Sequence, residues 1–235
     1  MFKDRVDAGK KLAEKLIKYS DQNTVVLALP RGGVPVGFEV AKRLKAPLDV
    51  LVVRKLGAPS SLEFGIGAIA PNNIKVIDEI SVEKLGISRK DIEKIEKKLR
   101  KELDRRIKKY RGKNSFPDVK NKTVVLVDDG VATGVSAKAA IKAVLEQNPK
   151  RLIIAVPVCA LNALKGISSV VRPIKDEVIC LYTPYDFSAV GHFYKSFNPV
   201  SDQEVIKLLQ SNKVSLLKQS QRKIKRGKQL KVWAV

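Results

Sequence analysis

The chain has 235 residues, with 46 Lys or Arg against 24 Asp or Glu and a formal net charge of +22. That length suffices for one α/β domain with a full core, and no apolar run approaches the ~18 residues that a membrane span requires. Only two cysteines occur, Cys159 and Cys180, both in apolar surroundings and without metal-ligand spacing, which excludes a disulfide scaffold or a cysteine zinc site. Along the chain, Asp4 to Tyr19 carries Val6, Ala13, Leu16 and Ile17 and reads as an amphipathic helix. Thr24 to Leu29 reads as a buried strand, Pro35 to Leu44 as the helix after it, and Leu48 to Val53 as a second strand. Leu62 to Ala70 and Ile74 to Ile77 flank a Pro-Asn-Asn turn signal and predict a hairpin. Ser88 to Tyr110 has Ile92, Ile95, Leu99, Leu103 and Ile107 at spacings of three and four, a long charged helix. A strand over Val124–Val127, a helix over Val135–Gln147, a strand over Arg151–Val156, a short helix over 161–166 and a strand over 177–181 follow. Residues 182–200 are aromatic-rich and irregular, Asp202 to Gln210 is a final helix, and 211–235 lose the core pattern. The whole implies an α/β fold with a doubly wound parallel sheet, an inserted hairpin-plus-helix subdomain at 56–121 acting as a flexible cover, a small hood at 182–200, and a basic tail at 211–235 beyond a domain of 1–210.

The charge is concentrated. Residues 89–113 hold thirteen Lys or Arg against five acids, and 211–235 hold eight Lys or Arg and no acid. A polyanion such as RNA or DNA is therefore a candidate partner for these segments, with weak, non-specific binding expected. Met1 to Lys18 lacks the apolar region of a signal peptide, so a cytoplasmic location and no membrane partner are expected.

Residues 124–134, Val-Val-Leu-Val-Asp-Asp-Gly-Val-Ala-Thr-Gly, are the most informative segment. An apolar strand ends in two acids, Asp128 and Asp129, and a short turn, Gly130 to Gly134, opens a helix. Free N–H groups at a helix N-terminus make an anion site. Two carboxylates beside it would repel a bare anion, but they accept hydrogen bonds from hydroxyls or meet a metal ion. A ribose 5-phosphate answers both demands.

This segment resembles the 5-phosphoribosyl 1-diphosphate (PRPP) motif of type I phosphoribosyltransferases, in particular the stand-alone prokaryotic ones of undefined acceptor. Leu-Pro-Arg-Gly-Gly-Val-Pro at 29–35 and Arg-Lys-Leu-Gly-Ala-Pro at 54–59 extend the resemblance over about Val25 to Leu209. It implies transfer of a phosphoribosyl group to a nitrogenous acceptor, a nucleobase, in nucleotide or nucleoside metabolism. Asp128 and Asp129 would hold the ribose hydroxyls, and Gly130, Val131, Ala132, Thr133 and Gly134 the 5-phosphate. Pro30, Arg31, Gly32 and Gly33 would bind diphosphate, with a cis peptide between Pro30 and Arg31, helped by Arg54 and Lys55. Asp128, Asp129 and Arg31 are thus the catalytic candidates. Tyr182, Phe193 and Tyr194 are candidates for the acceptor pocket; His192, the sole histidine, is expected to be structural. Mg²⁺ is expected to be carried by PRPP rather than by protein ligands, and a homodimer is implied. The rival reading is a PRPP-binding regulator or nucleic-acid-binding protein on the same fold.

Overall fold

The computed structural model describes residues 1–232 apart from 22, 60 and 113–117, with side chains 61–63 and 219–232 left out. Five parallel strands form the central sheet: β1 (Thr24–Ala28), β2 (Leu48–Val50), β6 (Thr123–Val127), β7 (Arg151–Val158) and β8 (Glu177–Tyr182), in the order β2-β1-β6-β7-β8. Strands β1 and β6 are buried along their whole length, which is why they read as unbroken apolar runs. One face is covered by α1 (Arg5–Leu16) and α2 (Gly33–Leu44), through Leu12, Leu16, Val36, Val40 and Leu44. The other is covered by α5 (Val135–Leu145) and α6 (Leu161–Ser168), through Ala140, Ile141, Val144 and Ile167. This is the doubly wound parallel sheet that the sequence implied.

A second, antiparallel sheet holds β3 (Arg54–Ala58), β4 (Ser61–Ile69) and β5 (Lys75–Ile77) in that order. The β4–β5 turn places Asn72 and Asn73 at φ 58° and 60°, left-handed positions that asparagine tolerates. A short helix, α3 (Glu79–Lys84), which the sequence reading missed, precedes α4 (Arg89–Arg111), capped by Ser88 accepting from the Asp91 N–H. Leu103, Ile107 and Tyr110 of α4 enter the same buried cluster as β1 and β6, so this helix is packed on the body of the protein. Arg100 secures the hairpin by donating to the carbonyls of Ala70 at 2.9 Å and Ile74 at 3.2 Å.

Two boundaries differ from the expectation. The second strand ends at Val50, and Arg54 and Lys55 open β3 of the small sheet instead of closing β2. The final helix, α7 (Asp202–Val232), does not stop at Gln210. Lys, Arg, Gln and Leu are good helix formers, so the helix persists after its apolar face has ended. Asn212, beyond the expected end, is buried: its side chain accepts from the Leu48 N–H at 2.9 Å and donates to the Ala46 carbonyl at 3.3 Å.

Candidate active site at the sheet switch point

Strand β1 lies between β2 and β6, so the chain winds outwards on both sides of it, and the loops leaving β1 and β6 open the crevice where ligands of such sheets bind. The two loops are joined by the Leu29 N–H donating to the Val127 carbonyl at 2.9 Å. Residues 29–33 and 128–134, more than ninety positions apart in sequence, therefore form one surface.

Asp128 and Asp129 stand at that junction. The Asp129 N–H donates to Asp128 Oδ1 at 2.9 Å, and burial followed by the adjacent Asp129 charge drives the Asp128 carboxyl well above the usual carboxylate range. Burial also raises Asp129, but Arg5 opposes it, with Nε donating to Oδ2 at 2.8 Å. A Cβ added at Gly32 would lie 1.9 Å from that same oxygen, so no side chain fits beneath the second acid. Arg5 is the residue that sequence reasoning missed. Its place in an ordinary amphipathic helix gives no local sign of a partner in the β6 turn.

The turn after the acids leads into α5. Gly134, at φ 78°, occupies the N-cap position, which leaves Thr133 outside the capping role. No side chain caps α5, so its first-turn N–H groups remain for an anion. Thr133 and Ala132 are exposed, whereas Gly130, Val131 and Gly134 are buried. Val131 is pinned by its N–H to the Val158 carbonyl and by its carbonyl to the Ala160 N–H, both at 2.9 Å. Across from Thr133, a cleft of about 350 Å³ is lined by residues of the β5–α3 segment together with Val135 and Lys138. The inserted segment thus reaches the rim of the turn.

At the other loop the Pro30–Arg31 peptide is cis, as the resemblance implied, and Arg31, its side chain 43% exposed, lies 3.9 Å from Asp202 Oδ1 at the start of α7. Arg54 stands near it with a buried Nε that finds no hydrogen-bond partner among the described residues. Burial, then the like charge of Arg106, lowers its affinity for a proton, with Arg105 and Arg31 adding to that repulsion. Arg105 and Arg106 of α4 therefore lie beside this end of the crevice, both gripping Glu102 at 2.7 Å and holding its carboxyl down at about 2. Arg89 pairs with Glu79 and Arg111 with Asp49, away from it. Lys55 is exposed on the neighbouring position of β3.

The hood closes over the β6 turn. Phe2 bridges to Tyr194, the Phe2 N–H donating to the Phe193 carbonyl at 2.8 Å. Tyr194 is buried, with its hydroxyl donating to the Asp129 carbonyl at 2.5 Å, so its ring serves as a strut under the acid turn. Tyr182 is 51% exposed and meets Phe193 edge-on with centroids 5.8 Å apart, so these two rings present the hood's open aromatic surface. His192 is exposed, its Nδ1 2.6 Å from the Ser188 hydroxyl. Of the two cysteines expected to be buried, Cys159 is and Cys180 is partly exposed. The neighbouring Cys159 thiol brings Cys180 down to about 7.

An acid pair, an uncapped helix start and a cis-peptide loop thus meet at one switch point, and residues 2–191 match the phosphoribosyl transferase domain model. The chain belongs to that family. Two Mycobacterium tuberculosis proteins (strains CDC 1551 / Oshkosh and ATCC 25618 / H37Rv), provisionally named phosphoribosyl transferases, are 42% identical over 210 residues, 89% of this chain and 46% of theirs. The chain thus spans about half the length of these curated relatives. The crystal structure of TT1426 from Thermus thermophilus is 39% identical with a TM-score of 0.72, and the match covers 89% of this chain and 97% of that one. Among the described residues of this phosphoribosyl transferase domain, no group of three or more His, Cys, Asp or Glu is placed to hold a metal ion, and no helix is long and apolar enough to cross a membrane.

Proposed function

We propose that the protein transfers the 5-phosphoribosyl group of PRPP to a nitrogenous acceptor, a nucleobase, releasing diphosphate. The observation that carries this reading is the junction of β1 and β6, where an acid pair, an uncapped helix start and an arginine-bearing loop converge. In such a transfer the nucleophile attacks the anomeric carbon as diphosphate departs, and the protein has to hold both ends still. Asp128 and Asp129 accept hydrogen bonds from the ribose hydroxyls and face the positive charge developing at the anomeric carbon. The N–H groups at the start of α5, with Thr133, take the 5-phosphate. Residues 30–33, Arg31 and Arg54 foremost, take the diphosphate, with Lys55 at the rim. The β5–α3 segment covers the turn, and Tyr182 and Phe193 stack on the planar acceptor.

Mg²⁺, which neutralises diphosphate charge when bound, fits this donor set as an ion held by substrate oxygens and water. Asp129 already commits one oxygen to Arg5. We assign the function to a cytoplasmic homodimer. The surplus of positive charge in α4 and after Asn212 favours an accessory affinity for polyanions, and it supports the alternative of a PRPP-responsive regulator that binds nucleic acid. A panel of purine and pyrimidine bases with PRPP and Mg²⁺, read by diphosphate release, tests the transfer. Release that depends on one base class supports it, and PRPP binding without release under any base favours the regulator.

A further inference from the structure

Two adjacent carboxylates in a buried corner require a counter-charge, and Arg5 from the start of α1 supplies it. Two of its nitrogens and one face are engaged. Nε donates to Asp129 Oδ2 and Nη1 donates to the Asn198 carbonyl, each at 2.8 Å, while the guanidinium carbon sits 3.8 Å above the centre of the Phe197 ring. The pair is nearly enclosed, with the Arg5 and Asp129 side chains 11% and 14% exposed. The planar fork meets two acceptors set apart and stacks on an aromatic face, which an ammonium does not reproduce. Phe197 in turn packs on Tyr194 at 5.0 Å between centroids, and Tyr194 holds the Asp129 carbonyl. Helix α1, the hood and the second ribose acid thus meet at one side chain.

We propose that Arg5 is a positioning residue for phosphoribosyl binding, holding the Asp129 carboxylate charged and in one orientation for the ribose hydroxyls and tying the hood to it. The proposal rests on the reading of the β6 turn as the PRPP cradle. Arg5 is committed to Asp129, to the Asn198 carbonyl and to the Phe197 ring, so it acts through Asp129. The charged and titratable groups recorded against Asp129 among the described residues are Asp128 from its own turn, Arg5 from α1 and the Tyr194 phenol from the hood, and Gly32, the N-cap of α2, approaches it without a side chain. Arg5 is the sole cation of that set. Without it, Asp129 stays beside Asp128 in a buried site and takes up a proton at a higher pH, and a protonated acid accepts fewer hydrogen bonds from a diol. Ligand affinity then falls as the pH falls, a dependence that a purely structural role does not produce.

The test is calorimetry with PRPP and Mg²⁺ at pH 8 and pH 6 on the full chain, as wild type, Arg5→Gln and Arg5→Lys, with thermal melts as a folding control. Arg5→Gln is expected to weaken binding by about ten-fold or more at pH 8, and the deficit relative to wild type should widen by a further few-fold at pH 6. Arg5→Lys should recover part of the affinity at pH 8. Equal affinity of wild type and Arg5→Gln at both pH values overturns the proposal and leaves the PRPP assignment standing. A wild type that does not bind PRPP removes the assignment and the proposal together. Should Arg5→Gln fail to fold, Arg5→Lys and Phe197→Leu decide, each expected to lose a few-fold in affinity; wild-type binding by both overturns the positioning role.

Discussion

At the end of β6, two carboxylates crowd a buried corner; at the start of β3, Arg54 is crowded by Arg31, Arg105 and Arg106. The two ends of the crevice carry opposite charge but share a fault. Each brings like charges together around a group partly withdrawn from water, Asp128 at one end and Arg54 at the other, and each is only partly compensated, by Arg5 at the first and by Glu102 and Asp202 at the second. The central sheet has no such conflict: the side chains of Val25, Leu27, Val124, Leu126 and Ile154 pack with no polar atom of their own, and their backbone groups lie in the ladder. A ligand with hydroxyls at one end and phosphates at the other relieves both faults. The contrast teaches that this site is held open at a cost in stability which the sheet supports.

Substitutions that remove the crowding should therefore raise stability while lowering affinity, and the largest effect belongs to the acids. Replacing both, Asp128→Asn with Asp129→Asn, is expected to weaken PRPP binding by more than about a hundred-fold, since each site loses charged hydrogen bonds of about 1.5–3 kcal/mol. Calorimetry measures this, and retained affinity would falsify the ribose assignment. Asp128→Asn alone should raise the melting temperature at pH 7.5 by about 2–4 °C for each kcal/mol of repulsion removed. The sign follows from linkage. The folded carboxyl keeps its proton to a higher pH than the unfolded one, so the stability it confers is greatest at low pH and is lost as the pH rises through the folded value. The mutant's melting curve against pH should be flatter above about pH 4.

Gly32→Ala comes next, because it crowds the acid corner further. A methyl group 1.9 Å from Asp129 Oδ2 forces the carboxylate to move, and a loss of about 1–3 kcal/mol in denaturant unfolding is expected, with weaker PRPP binding. An unperturbed variant would mean that the carboxylate is not fixed there. At the cationic end, Arg54→Met should lower diphosphate affinity by about ten-fold yet leave the melting temperature equal or higher, since the orphaned Nε and its repulsion disappear. Clear destabilisation would make Arg54 a structural residue and break the parallel between the two ends. The smallest effect concerns the chain end. Removing 219–235 deletes six Lys or Arg and should leave PRPP affinity unchanged while flattening the salt dependence of any RNA or DNA binding.

How much of this was legible in the sequence depends on how local the cause is. The β6 strand, its acids and its glycine turn lie within eleven consecutive residues, so spacing alone marked the strand, the turn and the helix that follows. The β4–β5 turn and α4 were equally visible, through Pro-Asn-Asn and through apolar residues at three and four. Arg5 was not, because its partner is 124 positions away and nothing in α1 marks it. Arg54 and Lys55 were placed on the wrong strand, since an apolar run from Leu48 to Val53 does not announce where the chain leaves one sheet for another. The end of α7 was misjudged for a different reason: a helix ends where its backbone is broken, and the loss of an apolar face breaks nothing. Tyr194 was assigned to the acceptor by its aromaticity, while its hydroxyl ties it to the turn beneath.

Asn212 has a consequence for how the protein behaves in company. Strand β2 is a border strand of the sheet, only three residues long, and a border strand offers its unpaired N–H and C=O groups to any extended chain that drifts by. The Asn212 amide imitates the next strand's peptide, giving one acceptor to Leu48 and one donor to Ala46 from a helix that cannot propagate the ladder. A chain cut at Gln210 would lose that false neighbour while keeping every group of the crevice. Its failing would be edge-to-edge association and poor solubility, a fault of the sheet's border that activity measured on the surviving monomer would not reveal.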